Sequence, residues 1–463
     1  MRTLIKNGTV VTATEQVAAD VWIEGETIVD VVGAYRRAGF PAEREIDAAG
    51  KYVMPGGVDV HTHFEMPMMG AVSRDDFESG TIAAAHGGTT TILDFANQER
   101  GGTLRAALDA WHAKAAGRAV IDYGFHATVA DANEATLAEL DRVVAEGVTS
   151  FKVFTAYPGR VYSDDGQILR VMQRARDLGA LVQVHAENGI AIDVLVAQAV
   201  ARGERAPRYH ALTRPEATEA EATHRVLCLA EVAGAAVYVV HMTSGRAVEH
   251  VARFRERGLP AFAETCPQYL FCSTDDLERA GFEGAKYVCS PPMRPKAVQD
   301  ALWRAVCAGH VQTVATDHCP FNFAGDKELG RDDFTKIPNG MPAVETRLLL
   351  LWDGGVRAGR FDARRFVDLV ATAPAKLFGL YPRKGAVAAG ADADLLVWDP
   401  AREQSLSAGA LHMRVDYSPY EGRTVRGAPT HVLSRGEVIV EDGKFRGRAG
   451  AGRYLKRSSW TAA

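Results

Sequence analysis

Short apolar segments that alternate with helical stretches constrain this chain more than any other feature. Two parallel strands need a long crossover between them, usually a helix, so this alternation indicates a mostly parallel sheet. Residues 133–146 and 218–232, for example, have the composition of helices. Eight candidate strands are found at residues 53–62, 89–95, 121–128, 150–156, 181–186, 236–243, 261–264 and 311–316. We predict an α/β fold in which residues 55–384 form a (β/α)8 barrel of the TIM type, with a doubly wound open sheet as the alternative.

The two ends of the chain have a different, β-rich pattern. Near the N-terminus, residues 4–6 and 9–12 flank an Asn7-Gly8 pair, which predicts a hairpin turn. Strand-like runs return at residues 394–398, 430–433 and 437–440, the last of them before a turn at 441–443. Since isolated strands cannot bury a face alone, we predict that residues 1–54 and 385–463 join in one small β-sandwich domain.

Composition and charge exclude several kinds of function. The formal net charge is −5 and the pI about 6.3, so the chain lacks the basic surface that binds nucleic acid or an anionic membrane. No run approaches the roughly 20 apolar residues of a membrane span, and the first residues turn polar without the apolar core of a secretory signal. Six cysteines without a Cys-x-x-Cys pair indicate reduced thiols and a cytoplasmic protein. We expect a small neutral molecule as the partner, with no nucleic acid and no membrane.

Histidines and an aspartate end several of the candidate strands. In a barrel, functional side chains come from the C-terminal ends of the strands, which lie on one face. The first strand ends in His61 and His63, whose spacing puts both imidazoles on one side, as a shared metal requires. The fifth and sixth strands end in His185 and His241, and the last ends in Asp317. A lone histidine at a strand end is usually structural, but four of the 14 histidines with an aspartate at one face favour a metal site.

The fourth strand adds Lys152, which the alternation predicts to point into the barrel. By itself, a buried lysine could pair with an acid or have the lowered pKa of Schiff-base chemistry. The imidazoles and the carboxylate could hold one crowded metal or two that share a bridge, and their donor atoms favour Zn, with Mn, Fe, Co and Ni also compatible. Cys319 lies beside His318, so a catalytic thiol is an alternative, although no paired base is visible in the sequence.

A set of motifs extends over nearly the whole chain. They are Pro55-Gly56-Gly57-Val58-Asp59-Val60-His61-Thr62-His63, Asp76-Phe77-Glu78-Ser79-Gly80-Thr81, Phe151-Lys152-Val153-Phe154-Thr155-Ala156-Tyr157, His185-Ala186-Glu187-Asn188, Ser290-Pro291-Pro292, Thr316-Asp317-His318-Cys319-Pro320-Phe321 and Ile337-Pro338-Asn339-Gly340. With these motifs the chain resembles the cyclic amidohydrolases, and among them most closely the dihydropyrimidinases and D-hydantoinases. After Tyr157 the loop departs from the family pattern at Pro158 and Arg160.

The resemblance implies a binuclear metal centre in which Lys152 carries CO2 as a carbamate, an anionic ligand that bridges both metals. It further implies that one metal is bound by His61, His63 and Asp317 and the other by His185 and His241, with a hydroxide between them. Two such cations lower the pKa of shared water enough to supply a nucleophile near neutral pH. The cofactors that we expect are therefore two divalent metal ions and the CO2-derived carbamate.

The same resemblance assigns catalytic and substrate-binding roles. Asp317 would act as general base and then as general acid, and Tyr157 would donate a hydrogen bond to the developing oxyanion. Main-chain groups of Ser290 and Asn339 would bind the amide and imide edge of the substrate. Out of this context, Tyr157 would be an aromatic rim residue and the other two would be turn residues.

The implied reaction is hydrolysis of the cyclic amide bond of 5,6-dihydropyrimidines and 5-substituted hydantoins to N-carbamoyl amino acids, as in pyrimidine catabolism. No arginine follows His63, which argues against the acidic substrate of a dihydroorotase. The substituent pocket is expected to include Phe64, Met66, Met69 and Phe95, since methionines adapt to varied apolar shapes. Allantoinase, or another ring-opening amidohydrolase, is the alternative enzyme, and a non-catalytic scaffold relative is the alternative from another class. The resemblance also implies a homotetramer.

Overall fold

A computed structural model describes residues 1–33 and 41–460 of the chain. The strands of this described part are β1 (Arg2–Val11), β2 (Gln16–Glu24), β3 (Thr27–Gly33), β4 (Arg44–Asp47), β5 (Tyr52–Pro55), β6 (Gly57–Thr62), β7 (Pro67–Met68), β8 (Ala71–Val72), β9 (Thr89–Asn97), β10 (Asp122–Thr128), β11 (Ser150–Phe154), β12 (Leu181–His185), β13 (Val237–Val239), β14 (Ala261–Thr265), β15 (Thr313–Val314), β16 (Leu395–Leu406), β17 (Arg423–Ser434), β18 (Glu437–Glu441) and β19 (Lys444–Phe445).

Helices follow most of the central strands. They are α1 (Phe77–His86), α2 (Leu104–Ala115), α3 (Glu134–Ala145), α4 (Asp165–Asp177), α5 (Gly189–Ala201), α6 (Tyr209–Leu212), α7 (Glu216–Ala233), α8 (Gly245–Glu256), α9 (Pro267–Phe271), α10 (Thr274–Leu277), α11 (Lys296–Cys307), α12 (Arg347–Leu351), α13 (Ala363–Val367) and α14 (Ala373–Leu377). Short 3-10 helices at Glu283–Tyr287, Lys327–Gly330 and Phe334–Lys336, and π-helical segments at Trp352–Arg357 and Asp368–Thr372, complete this part. The helix predicted at 133–146 is α3, which the Asn133 side chain caps at its N-terminus.

An eight-stranded parallel sheet forms the centre of the molecule, in the order β6, β9, β10, β11, β12, β13, β14 and β15. Its ends meet, because Thr62 and His318 form a parallel bridge and the Arg347 guanidinium donates 3.0 Å hydrogen bonds to the carbonyls of Val58 and Val314. The predicted barrel is therefore confirmed and the open sheet is excluded. Strands that are buried on both faces have continuous apolar sequences, which explains why the sequence predicted a strand at each of the eight positions.

The first predicted strand, residues 53–62, is in fact two strands that belong to different sheets. β5 pairs with β1 and β16, whereas β6 begins the barrel beside β9. Gly56 separates them, and a Cβ atom at this position would overlap the Thr90 side chain. A glycine is therefore required where the chain passes from one sheet to the other.

Strands from both chain ends form the second sheet, in the order β19, β18, β17, β16, β5, β1, β2 and β3, with β4 added alongside β1. The expectation that both ends build a common β-structure is confirmed. We keep residues 1–54 with 385–463, and 55–384, as the proposed domain division, since β5 ends at Pro55 and β16 begins at Leu395. The last described residues cross back to the barrel, where Leu455 donates a backbone hydrogen bond to Tyr123.

The hairpin turn predicted at Asn7-Gly8 was wrong. β1 runs unbroken through both residues, and Asn7 has a φ of 62° where the pairing with β2 shifts register. This irregularity lets one strand pair first with β4 and then with β5. An Asn-Gly pair suits a bulge as well as a turn, because both need a positive φ, and the neighbouring strands decide between them.

The turn predicted at residues 441–443 is present between β18 and β19, with positive φ at Asp442 and Gly443. In the described part of the chain, no helix is both long and apolar enough to cross a membrane.

Candidate metal centre and active site

Every residue predicted as a metal ligand lines one cavity of about 300 Å³ at the C-terminal end of the barrel. The strands place them there: His61 lies in β6, Lys152 is the central residue of β11 and His185 is the last residue of β12. His63, His241 and Asp317 lie in the loops, one to three residues after the ends of β6, β13 and β15. Residues up to 256 positions apart are thus brought together by the parallel register of the sheet.

One group of side chains converges on Asp317. Its Oδ1 atom lies 3.2 Å from His61 Nε2 and 3.1 Å from His63 Nε2. Ligand atoms of His61, His241 and Asp317 all lie within 4.8 Å of one another, and these three residues are buried. Donor atoms this close together belong to one candidate metal site.

A second group adjoins the first. His185 Nδ1 and His241 Nε2 lie 2.9 Å apart, while His185 Nε2 contacts the Glu187 carboxylate at 2.8 Å. Glu187 thereby fixes the orientation of the His185 ring, as carboxylates commonly do for metal-binding imidazoles.

Lys152 lies deep in the same cavity wall, only 2 % exposed. Its ammonium nitrogen is 4.8 Å from the centre of the Phe95 ring and 5.1 Å from that of Phe154. Burial lowers the pKa of Lys152 to about 8, although the nearby Asp317 and Glu264 carboxylates act to raise it. Among the described residues, no hydrogen bond or ion pair joins this nitrogen to an acid, so simple pairing with a carboxylate does not explain it.

The donor atoms fit a metal. His61 Nε2, His63 Nδ1 and His241 Nδ1 are buried and have no hydrogen-bond partner within the described chain. Desolvation holds the pKa of His61 and of His241 well below the usual value, with the Lys152 charge adding to the effect, so both imidazoles are neutral. Neutral imidazoles and a carboxylate are the ligand set of divalent transition metals. These residues form a buried metal-site cluster.

The substrate-binding candidates line the same cavity as the metal cluster. Tyr157, Ser290 and Asn339 all contribute to its wall, and Asn339 Nδ2 donates to Ser290 Oγ at 3.2 Å. Burial, with the Glu187 charge, raises the pKa of Tyr157 well above its usual value, so its phenol is a hydrogen-bond donor at neutral pH.

Comparison with known proteins agrees with this geometry. The model of the amidohydrolase family matches residues 52–439. The chain belongs to the amidohydrolase family. It is 57 % identical to a D-hydantoinase of Streptomyces coelicolor, over 99 % of this chain and 98 % of that protein. It is 52 % identical to a D-hydantoinase of Geobacillus stearothermophilus, over 100 % of this chain and 98 % of that protein. The crystal structure of a dihydropyrimidinase from Brevibacillus agri superposes with a TM-score of 0.98 at 51 % identity, over 100 % of both chains.

One predicted pocket residue of this amidohydrolase lies elsewhere. Met66, Met69 and Phe95 line the cavity, but Phe64 does not; its ring is fully buried between Phe77 and His318. Phe64 lies in the turn that follows β6, and this turn directs its ring towards α1 instead of the cavity. We therefore remove Phe64 from the substituent pocket.

Glu264 of this amidohydrolase contacts two of the predicted metal ligands, and the sequence did not suggest it as a site residue. It is fully buried; Oε1 accepts from His61 Nδ1 at 2.7 Å and from the His241 backbone N–H at 2.9 Å, and Tyr238 donates to Oε2 at 2.8 Å. It connects one ligand of each predicted metal. Its position near the end of β14 is a signal, because an acid that ends an apolar barrel strand points to the active-site face.

The catalytic-thiol alternative finds no support in this site. Cys319 lines the cavity, but burial and the Asp317 charge raise the pKa of its thiol well above the usual value. A thiol held neutral is a poor nucleophile.

Proposed function

We propose that this amidohydrolase opens the cyclic amide bond of 5,6-dihydropyrimidines and 5-substituted hydantoins, giving N-carbamoyl amino acids. One observation carries the proposal: the metal-site cluster shares a single cavity with Tyr157, Ser290 and Asn339, at the positions that the motifs predict. Full-length similarity to proteins named D-hydantoinase and dihydropyrimidinase supports this substrate class.

We propose two divalent metal ions as the cofactors, with Zn favoured by the donors and Mn, Fe, Co or Ni compatible. His61, His63 and Asp317 would bind one, and His185 and His241 the other. The Lys152 amine would add CO2 and release a proton, and the resulting carbamate would bridge both. The position of the Lys152 nitrogen in the cavity wall, without a carboxylate partner, supports this role. When bound, two such cations lower the pKa of the water between them and polarise the substrate carbonyl.

The side chains of the protein then direct the proton and the developing charge. Water adds to the ring carbonyl carbon, and Asp317 accepts its proton. As the C–N bond breaks, Asp317 returns the proton to the departing ring nitrogen. The Tyr157 hydroxyl donates a hydrogen bond to the carbonyl oxygen as it becomes negative, and main-chain groups of Ser290 and Asn339 bind the CO–NH–CO edge.

We propose that the 5-substituent of the ring contacts Met66, Met69 and Phe95. Met66 and Met69 line the cavity at the β7–β8 hairpin, and Phe95 lines it beside Lys152 and the imidazoles of His61 and His63. Flexible methionines at this position would let the pocket accept substituents of different shape.

Ring-opening assays with dihydrouracil, hydantoin and allantoin test the proposal, using metal-replete enzyme prepared with bicarbonate. We expect turnover of dihydrouracil and hydantoin and little of allantoin. Preference for allantoin would replace the proposal with allantoinase activity. Failure to open any of the three rings, by protein whose metal content is verified, would favour a non-catalytic scaffold.

We propose a homotetramer as the assembly. The family resemblance is one support. The other is the apolar exposed surface of α5 and α6, where Ile190, Val194 and Leu212 are 55 %, 54 % and 63 % exposed. Light scattering after gel filtration measures the mass, and a monomer of 49.9 kDa would contradict the proposal. We further propose the cytoplasm as the compartment, with support from six cysteines that form no disulfide in the described structure.

A further inference from the structure

Lys327 is a fully buried lysine that lies outside the catalytic cavity. Its ammonium nitrogen donates three hydrogen bonds to backbone carbonyls, to Val288 at 2.8 Å, Pro338 at 2.7 Å and Gly340 at 2.8 Å. The carboxylate of the adjacent Asp326 bonds to Arg74 instead. All three donors of the ammonium group are thus used on main-chain oxygens.

The three carbonyls come from the two segments that hold the proposed substrate-binding residues. Val288 precedes Ser290 by two positions, and Pro338 and Gly340 flank Asn339 on both sides. The segments also contact each other directly, since the Gly340 N–H donates to the Val288 carbonyl at 3.0 Å and Asn339 Nδ2 donates to Ser290 Oγ. Lys327 therefore sets the distance between the two peptides that face the substrate.

Lysine suits this position chemically. Three carbonyl oxygens converge on one point in the protein interior, and buried carbonyls without donors are costly. A tetrahedral ammonium presents three N–H donors from one nitrogen and can reach all three oxygens. No nitrogen of the planar arginine guanidinium carries more than two N–H groups. Lys327 does not line the cavity, so it acts on substrate only through the segments that it holds.

We propose that Lys327 is a positioning residue that fixes the segments around Ser290 and Asn339, and thereby the binding of the CO–NH–CO edge of the ring. This rests on the proposed function. Loss of its hydrogen bonds weakens the binding of ground state and transition state alike, which raises KM and leaves kcat nearly unchanged.

The test compares Lys327→Met and Lys327→Gln with Lys336→Met, a control at an exposed lysine of the next short helix, 69 % exposed. We expect Lys327→Met to raise KM for hydantoin about tenfold or more with kcat within about threefold of wild type. Lys327→Gln keeps two N–H donors, so its KM should lie between those of wild type and Lys327→Met. The control should match wild type. Metal content, measured on each preparation, should stay unchanged.

Hydrogen–deuterium exchange supplies a second measurement, which also serves if Lys327→Met does not fold. In Lys327→Gln, we expect faster exchange confined to the amides of residues 288–290 and of Asn339 and Gly340. An unchanged KM in Lys327→Gln, or faster exchange spread equally over the barrel strands, would overturn the proposal, since Lys327 would then serve general stability only. Absence of ring opening in the wild-type enzyme would contradict the proposed function instead.

Discussion

Tyr157, His241 and Asp317 adopt left-handed backbone conformations that non-glycine residues rarely take. Their φ angles are 63°, 38° and 51°. Each lies two or three residues after the end of a barrel strand, where the chain turns, and each side chain lines the cavity. Such conformations are strained and persist only where the surrounding structure enforces them, and they cluster at functional sites. Here the barrel holds two metal-ligand candidates and the proposed oxyanion donor in orientations that the local sequence alone would not adopt.

Asp317 should be required for turnover more than for metal binding. Asp317→Asn keeps the shape and one oxygen ligand but removes the proton acceptor. Since general base catalysis contributes about 10²–10⁴-fold, we expect kcat for hydantoin to fall by about that factor. Metal analysis should find most of the metal retained, because the other candidate ligands remain. A kcat within tenfold of wild type would show that another group accepts the proton.

His86 should make the protein sensitive to acid. It is buried at the end of α1, stacked at 3.4 Å on His412, which bonds to the Glu345 carboxylate. Burial, together with the His412 charge, lowers the pKa of His86 to about 4. The unfolded chain binds this proton near pH 6.5 and the folded chain does not, so stability is lost as the pH falls from 6.5 towards 4. The loss amounts to about 3 kcal/mol.

Thermal melts of wild type and His86→Leu at pH 7.5, 5.5 and 4.5 measure this effect. We expect the melting temperature of the variant to decline less between pH 7.5 and 4.5 than that of wild type. The carboxylates that also titrate in this range are common to both proteins, so the difference reports on His86 together with its coupling to His412. Parallel declines would contradict the expectation.

At the scale of the elements, most of the barrel could be predicted because its strands are buried on both faces. Each apolar run between helices marks one strand, and polar residues at the ends of those runs mark the site. Local patterns failed where distant pairing decides the structure. Residues 53–62 form two strands separated at Gly56, because the first of them pairs with the distant β16. Asn7 forms a bulge because β1 pairs with both β4 and β5.

Most of the candidate site could also be predicted from the sequence. All predicted metal ligands line the cavity, but Phe64 points away from it, and the sequence did not suggest Glu264. Phe64 follows the end of β6, where the alternation of side chains no longer has a sheet to fix it. The role of Glu264 depends on contacts with His61 and with the backbone of His241, residues distant in the chain that only the closed barrel brings together.

Glu264 should strengthen metal binding through the ligands that it orients. Glu264→Gln keeps the size of the side chain, but it replaces the carboxyl group that the His61 imidazole contacts at 2.7 Å by an amide, which is a weaker acceptor. Removal of such a partner typically lowers metal affinity about 10–100-fold. Competition with a chelator measures the affinity directly. Arg74→Gln is the control, because the Arg74 guanidinium bonds to Asp326 and does not line the cavity. Equal affinities of the Glu264 variant and wild type would contradict the role.

At the scale of the whole molecule, the C-terminal segment joins the two sheets. Beyond the strands of the second sheet, residues 453–460 cross the N-terminal end of the barrel, opposite the catalytic cavity. Backbone hydrogen bonds attach this segment at Tyr123, Gly147 and Gly179, before or at the start of successive barrel strands. Leu455 is fully buried there and belongs to the apolar cluster that fills the barrel interior with Val58 and Val60. Residues 453–460 thus cover the N-terminal end of the barrel.

Leu455→Ala should therefore destabilise the protein without altering its chemistry. Truncation of a buried leucine leaves a cavity and costs about 2–5 kcal/mol, whereas the exposed neighbour, in Lys456→Ala, should change stability by about 0.5 kcal/mol at most. Urea unfolding compares the two variants with wild type. Well below the melting temperature, kcat and KM of Leu455→Ala should match wild type, because the ligands lie at the opposite end of the strands. Equal stability of both variants would show that the segment does not close the barrel, and a lowered kcat in the folded Leu455 variant would show that the two ends of the barrel are coupled.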